Sequence, residues 1–473
     1  MTTTDSTTST SEHKIALYYC YPPSGLPLEK LEAHKLFHQE ICTKLNLGGR
    51  IRVSEEGING VLSGAEIALR EYEASLRQEL LQLVIVDKNN ETSDCSADVD
   101  PTAEWLDIKY CHLRNDIPME EQLFPSLQVK ITREVVSLIE PTPNNQGKNK
   151  GKRCRQRRKQ KRKEKQMQEK LAAATSVEET EQSKDSIKGN VAAKGIVNIE
   201  DWKRNTPAQH LSPEDWNKKL LDLAEQENKG SPSDECEAVL LDTRNIYETR
   251  VGHFAVPKLA TLFPNTRKFS SLPLALNTEE AAEALAGKQV FMYCTGGVRC
   301  ERAGTYLRAL SDSNSGAWEG KEKPKAIYQL KGGIQKYLEQ YGEQIEQAND
   351  STDTNEKQCL YRGKNFVFDQ RRTDPVIGNG IKSNDSADRV SSVGQCIICS
   401  KIHDDYDNGF SPCEDKEARC CRCRVLVLVC NDCRPKVRSC GEKKVENVTD
   451  LLCGGSTCID EGNVAENVET IRF

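Results

Sequence analysis

A thiol placed first in a short glycine loop is the feature with the plainest chemistry. The hexapeptide Cys294-Thr-Gly-Gly-Val-Arg299 follows the apolar run Lys288-Gln-Val-Phe-Met-Tyr293 and precedes a helix-favouring stretch from Cys300 to Leu307. That order reads as strand, tight loop, helix. Backbone N–H groups at a helix N-terminus favour an anion, and an arginine closing the loop adds a full positive charge. A thiol held there ionises readily and becomes a nucleophile. Three residues are assigned to the chemistry: Cys294 as nucleophile, Arg299 as stabiliser of its charge, and Cys300 as either a resolving thiol or a buried structural cysteine. Thr295, Gly296, Gly297 and Val298 form the anion cradle, the glycines allowing the backbone to curl around the sulfur.

Metal chemistry is suggested further on. Of twenty cysteines, eleven lie between Cys396 and Cys458, and two C-x-x-C pairs, Cys396/Cys399 and Cys430/Cys433, stand out. Paired thiolates at this spacing grip zinc, and two pairs complete a tetrahedron. Cys413, Cys420, Cys423 and Cys440 extend the ligand set to eight, enough for one or two structural zinc ions. His403 is a candidate substitute ligand but reads better as solvent-facing, and Cys453 and Cys458, in Gly/Ser-rich surroundings, read as free thiols. Such crowding without a secretory signal favours metal over disulfides.

The elements that must position these groups follow from patterning. At 473 residues the chain exceeds one ordinary core. Residues 1–13 read as a disordered tail. Residues 14–140 read as an α+β ferredoxin-like (acylphosphatase-like) domain: a strand at Ile15–Cys20, a helix over Leu28–Leu47, a strand at Gly49–Ser54, a turn at Glu55–Gly60 returning through Val61–Ser63, a helix from Gly64 to Leu80, and strands at Trp105–Tyr110 and Leu127–Leu138. Residues 141–194 are too polar to pack and read as a disordered linker. From 195 to 350 strands alternate with helices, which predicts a parallel sheet covered on both faces. An extension at 351–376 adds an edge strand near Tyr361–Asp369, 377–394 is a second linker, 395–445 is the zinc module and 446–473 a tail.

Several signatures carry a resemblance to the rhodanese domain: Asp242-Thr-Arg244, Tyr247-Glu248, Gly252-His-Phe254, the thiol loop, and Tyr328-Gln-Leu-Lys-Gly-Gly-Ile334. Together with Glu56-Gly-Ile-Asn-Gly60, Val129–Val136 and Phe366-Val-Phe-Asp369 they resemble the tRNA uridine hydroxylase family. The resemblance implies a persulfide-type cysteine at Cys294 and oxygen-dependent C5 hydroxylation of a wobble uridine in tRNA, with molecular oxygen as co-substrate. A six-residue loop in the rhodanese family suits sulfur and argues against a phosphatase. Two alternatives stay open: a sulfurtransferase drawing on a sulfur donor such as thiosulfate, and a non-catalytic zinc-containing interaction protein meeting protein partners through its tail. Asp242 and Arg244 are read as a structural ion pair, and His253 as structural too.

Charge distribution bears on partners. The formal net charge is −6, yet residues 148–165 hold twelve Lys or Arg against one Glu. Arg155, Arg157, Arg158, Lys159, Lys161, Arg162 and Lys163 are candidate contacts to a nucleic-acid backbone, sequence-independent because no aromatic interleaves them. The same run also reads as a nuclear-localisation signal or a solvated linker. No apolar run approaches the roughly 20 residues a membrane span requires, so no membrane partner is expected and the chain is read as cytoplasmic, the basic run leaving the nucleus open.

Overall fold

The computed structural model describes residues 12–22, 25–88, 102, 105–113, 118–138, 207–226, 237–342, 359–367, 372–375, 392–406, 418–420, 425–434 and 453. The tail at 1–11, residues 89–101, the linker at 141–194 with all seven basic candidates, and Cys413, Cys423, Cys440 and Cys458 lie outside them. No described helix is long and apolar enough to cross a membrane.

The first domain is built from β1 (His13–Cys20), α1 (Leu31–Lys44), β2 (Gly48–Ser54), β3 (Gly57–Ala65), α2 (Glu66–Lys88), β4 (Leu106–His112), the short α3 (Met119–Gln122) and β5 (Leu127–Ile131). Its sheet runs β4-β1-β3-β2-β5, the ferredoxin-like order with β5 added parallel at the β2 edge. Alternation decides which face is core. Ala16, Tyr18, Ile51, Val53, Ile58, Leu62 and Val129 pack with Leu69, Tyr72 and Leu76 of α2, which leaves Leu17, Tyr19, Arg50, Arg52, Asn59, Lys109 and Lys130 on the other face.

Three local expectations are corrected here. The turn is only Glu55–Glu56, and Ile58, Asn59 and Gly60 already belong to the returning strand, whose first residue Gly57 takes φ 144. A Cβ on Gly57 would meet the Cys20 carbonyl oxygen at 2.0 Å. The helix expected from Leu28 begins in earnest at Leu31, after a single 3-10 turn. The strand expected to reach Leu138 stops at Ile131, because Thr132 bonds back to Glu134 O (2.8 Å) and the Val135 N–H is taken by Glu56 Oε2 (3.1 Å) instead of a ladder partner.

The second domain has a wholly parallel sheet, β6-β11-β10-β7-β9: β6 (Gln209–Leu211), β7 (Ala238–Asp242), β9 (Ala260–Leu262), β10 (Gln289–Tyr293) and β11 (Ala326–Leu330). Trp216 of α4 (Pro213–Gln226) and Tyr337 of α9 (Gly333–Tyr341) pack on the face carrying Leu240, Phe291 and Tyr293. The other face carries Met292, against which Gly304 of α8 (Val298–Asp312) packs. Between β7 and β8 (Gly252–Phe254) lies the one-turn helix α5 (Ile246–Thr249); α6 (Leu272–Leu276) and α7 (Glu279–Leu285) complete the layer. The strand expected at the edge of this sheet, β12 (Tyr361–Val367), instead pairs antiparallel with β8 and β13 (Arg372–Pro375) in a separate three-stranded sheet.

Candidate active site

Strand β10 ends at Tyr293, and α8 starts at Val298 with Gly297 as its N-cap at φ 95. The loop between them turns the Cys294 sulfur back onto its own amides: the Gly297 N–H donates to Sγ at 3.1 Å, and the N–H groups of Arg299 and Cys300 also reach it. Of the four expected cradle residues, Gly297 supplies an amide to the sulfur. Thr295 contributes its hydroxyl elsewhere, to Glu248 Oε1 (3.2 Å).

The loop is locked from behind by α9. Ile334 N–H donates to Cys294 O (2.9 Å) and Gln335 N–H to Thr295 O (3.0 Å). Gly333, at φ 68, is the contact residue: a Cβ there would lie 2.6 Å from Cys294 O, Gly297 N and Thr295 O alike. No side chain is tolerated at that position without moving the loop.

Burial alone would push the Cys294 thiol up. A hydrogen bond with Cys300, the Arg299 charge and the amides of residues 299 and 300 outweigh it, and the thiol is brought down to about 6 from its ordinary 9.0. Burial, followed by its bond to Cys294, pushes Cys300 well up, so it stays a thiol and donates. Its sulfur also lies 3.6 Å from Thr243 Oγ1. Cys300 therefore stands buried beside the Cys294 sulfur.

The charge of Arg299 is itself held in place by a residue the sequence reading had assigned no role. Glu248, 5% exposed, accepts both arms of the guanidinium, from Nη2 at 2.6 Å and from Nη1 at 2.7 Å. Arg299 also donates to Thr295 Oγ1 (3.0 Å). Glu248 sits in a capping box with Asn245, whose N–H donates to Glu248 Oε2 at 3.0 Å. Although burial would raise its pKa, Arg299 and these donors hold Glu248 below the ordinary carboxylate value. An Asn-x-x-Glu spacing was visible, but its link to residue 299 spans the fold.

Asp242 and Arg244 are fully buried and joined by bonds of 2.7 and 3.0 Å; Arg244 also reaches Gly252 O and the Tyr361 hydroxyl. The pair ties β7 to β8 and β12 and does not touch the Cys294 sulfur loop in any of these bonds. His253 Nδ1–H donates to Thr249 O (3.1 Å), and its ring packs edge-on against Phe263.

The first domain forms a roof. A Cβ on Gly296 would meet Leu17 at 3.0 Å, and one on Gly297 would meet the Tyr19 hydroxyl at 2.7 Å. Tyr19 donates to Glu301 (3.4 Å), which also bonds His210 (2.7 Å), and Lys109 lies over the Tyr19 ring at 5.2 Å. Arg302 pairs with Glu56 at 3.0 Å, both nearly buried, and stacks on Tyr21. Cys294 is fully buried beneath these contacts.

In the tail, the Sγ atoms of Cys396, Cys399, Cys430 and Cys433 all lie within 4.8 Å of one another, with Cys399 and Cys430 3.5 Å apart. Four thiolates about 2.3 Å from one ion would stand about 3.8 Å apart, so the cluster fits a tetrahedral metal. Cys420 and His403 are not among the four. Cys453 is not among the four either; it is buried in the apolar cluster beside them, and its carbonyl accepts a bond from Arg250. Ile246 of α5 packs into this cluster beside Val427 and Val429, and the Tyr406 hydroxyl donates to Tyr247 O (2.8 Å). The module thus braces the helix that carries Glu248.

Comparison with known proteins agrees with this architecture. The UPF0176 acylphosphatase-like domain model matches residues 13–135, and the rhodanese-like domain model matches residues 222–340. The chain is 29% identical over 435 residues to rhodanese-like domain-containing protein 6 of Arabidopsis thaliana, covering 90% of this chain and 51% of that protein. It thus spans about half the length of that relative. It is 26% identical to the tRNA uridine(34) hydroxylase of Corynebacterium diphtheriae, covering 93% of this chain and 96% of the relative, and 26% identical to that of Chlamydia trachomatis serovar L2, covering 89% and 83%. Both domain models are matched and the thiol loop lies intact between β10 and α8, so the chain joins a UPF0176 acylphosphatase-like domain to a rhodanese-like domain.

Proposed function

We propose that this chain modifies tRNA, hydroxylating C5 of a wobble uridine with one atom of molecular oxygen while an external two-electron donor reduces the other to water, and that Cys294 is the residue at which the chemistry occurs. The observation that carries the reading is a fully buried Cys294, its thiol brought down to about 6 and its loop lying against Leu17 and Tyr19, in a chain aligned along nearly its whole length with proteins named tRNA uridine(34) hydroxylase. In this reading the loop amides and Arg299 stabilise negative charge on the sulfur or on a sulfur species bound to it. Cys300 keeps a proton beside it. The roof formed by Leu17 and Tyr19 excludes water from the reacting atoms.

The metal of the tail is inferred to be zinc, which four thiolates suit and which supplies folding energy there instead of catalysis. The chain works in the cytoplasm on this reading. Nucleoside mass spectrometry of tRNA from cells whose only copy carries Cys294→Ser tests the function: 5-hydroxyuridine is expected to disappear, and unchanged hydroxylation rejects the proposal.

Sulfane-sulfur transfer is the second reading, favoured by the convergence of three amides and a cation on one sulfur, an arrangement that suits a persulfide anion. Incubation with thiosulfate followed by intact-mass measurement separates the two: a Cys294 persulfide that passes sulfur to an acceptor favours transfer, and its absence removes that reading.

A further inference from the structure

The open face of the first sheet carries a row of side chains brought side by side by strand register. Tyr19 of β1 pairs with Asn59 of β3, Asn59 with Arg52 of β2, and Arg52 with Lys130 of β5. One step along, Leu17 pairs with Val61, Val61 with Arg50, and Arg50 with Gln128. All point away from the core, since Ile51, Val53 and Val129, which alternate with the cations, are buried in it. Arg50, Arg52, Gln128 and Lys130 are exposed.

One end of these rows is the roof over the sulfur. Leu17 and Tyr19 lie against Gly296 and Gly297. From Tyr19 outward, three strand spacings of about 4.8 Å place Lys130 about 14 Å away. Arg50 and Arg52 are two residues apart on one strand, hence about 7 Å apart. The face therefore runs from a solvent-exposed basic margin, across Asn59 and Val61, to the loop that holds Cys294.

We propose that Arg50, Arg52 and Lys130 form a binding strip for the phosphodiester backbone of a single-stranded RNA segment, which the strip leads toward the Cys294 pocket. Three cations at an exposed sheet margin hold phosphates without reading bases. Gln128 adds a neutral donor between them, and between the strip and the roof stand Asn59, whose amide donates to Val135 O (3.4 Å), and Val61, packed beside Ile15. Of the two carboxylates on the adjacent turn, Glu56 is engaged by Arg302 and Glu55 is exposed. This strip is separate from the basic run at 148–165, and it deepens the tRNA reading by naming where the strand lies.

The test uses the full chain and a fluorescent anticodon stem-loop RNA, with anisotropy followed across a salt series. Each neutralised phosphate of a single strand contributes about 0.7 to the slope of log affinity against log salt. Arg50→Gln/Arg52→Gln/Lys130→Gln is expected to flatten that slope by about 2 and to weaken binding at low salt. A control with Lys35→Gln/Lys44→Gln/Lys218→Gln, three exposed or half-buried helix lysines elsewhere, is expected to leave the slope alone. The proposal is overturned if the strip triple binds with the unaltered slope, or if both triples lose affinity equally, which would mark an unspecific charge effect. Loss of binding to an acidic peptide with RNA binding intact would assign the strip to a protein partner and also overturn it. Failure of the unaltered chain to bind the RNA at all would reject the tRNA reading together with this one.

Discussion

Replacing Arg299 with Met removes the cation beside the Cys294 sulfur while keeping most of its apolar stem. Without it, burial is opposed only by the Cys300 thiol and the loop amides, the nearest at 3.1 Å. An opposite charge within a few ångströms lowers a pKa by about 1–3 units, and little solvent screens this one because the Arg299 side chain is 13% exposed. The midpoint of Cys294 should therefore rise from about 6 by that amount, equivalent to about 1.4–4 kcal/mol of lost thiolate stabilisation. At pH 7 the thiolate fraction falls from roughly 0.9 to between about 0.5 and 0.01. The same change strands the Glu248 carboxylate, and breaking a buried pair costs about 3–5 kcal/mol. Arg299→Met is therefore measured beside Glu248→Gln/Arg299→Met, which leaves no orphan charge. The assay is the rate of iodoacetamide labelling at Cys294, mapped by peptide mass spectrometry across pH. A midpoint within about 0.3 units of the unaltered chain in both variants would refute the assignment of Arg299 as the stabilising charge.

Further consequences follow from other parts of the molecule. Because the four-cysteine module packs on Ile246 beside Glu248, stripping the zinc proposed for it with a chelator should loosen Arg299 and raise the Cys294 midpoint by about one unit, read as the thiolate absorbance difference between the chain and its Cys294→Ser variant; an unmoved midpoint after confirmed metal release would disconnect the module from the site. Glu56→Ala leaves Arg302 facing an apolar contact at the domain junction and should cost about 3–5 kcal/mol in urea unfolding, whereas a loss under about 1 kcal/mol would mean the 3.0 Å pair is solvated in solution. His38 is fully buried and bonded to the Tyr72 hydroxyl, and burial holds its pKa down at about 3 against an ordinary 6.5. The unfolded chain thus binds a proton the folded one refuses, so stability is full above pH 6.5 and declines as pH falls from there toward 3. His38→Gln should flatten that decline in acid titrations of unfolding, and an unchanged slope would point to other groups.

What was readable in the sequence was local. The thiol loop could be read because a strand, two glycines and a helix start are contiguous, and the Cys396/Cys399 and Cys430/Cys433 pairs because thiolate spacing within a knuckle is itself the ligand geometry. Parallel strands β7 and β10 were visible as unbroken apolar runs, as strands buried on both faces must be. Long-range pairing was not. Glu248 reads locally as the acid of a capping box, and only the folded chain brings it to Arg299. Burial of the sulfur depends on Leu17 and Tyr19, which patterning places on a strand without saying what the strand covers. The stretch Leu127–Leu138 is rich in β-branched residues and reads as one strand; beyond Ile131 it is irregular backbone in which Val135 and Leu138 are buried and the Val135 N–H is claimed by Glu56.

The central claim is that the sulfur of Cys294 is ionised at neutral pH inside a closed pocket. Titrating the ultraviolet thiolate absorbance of the intact chain, with the Cys294→Ser variant subtracted at every pH, measures that state without requiring a reagent to enter. The account predicts a single transition centred near 6, and a transition centred at about 8.5 or above, where an ordinary cysteine titrates, would contradict it.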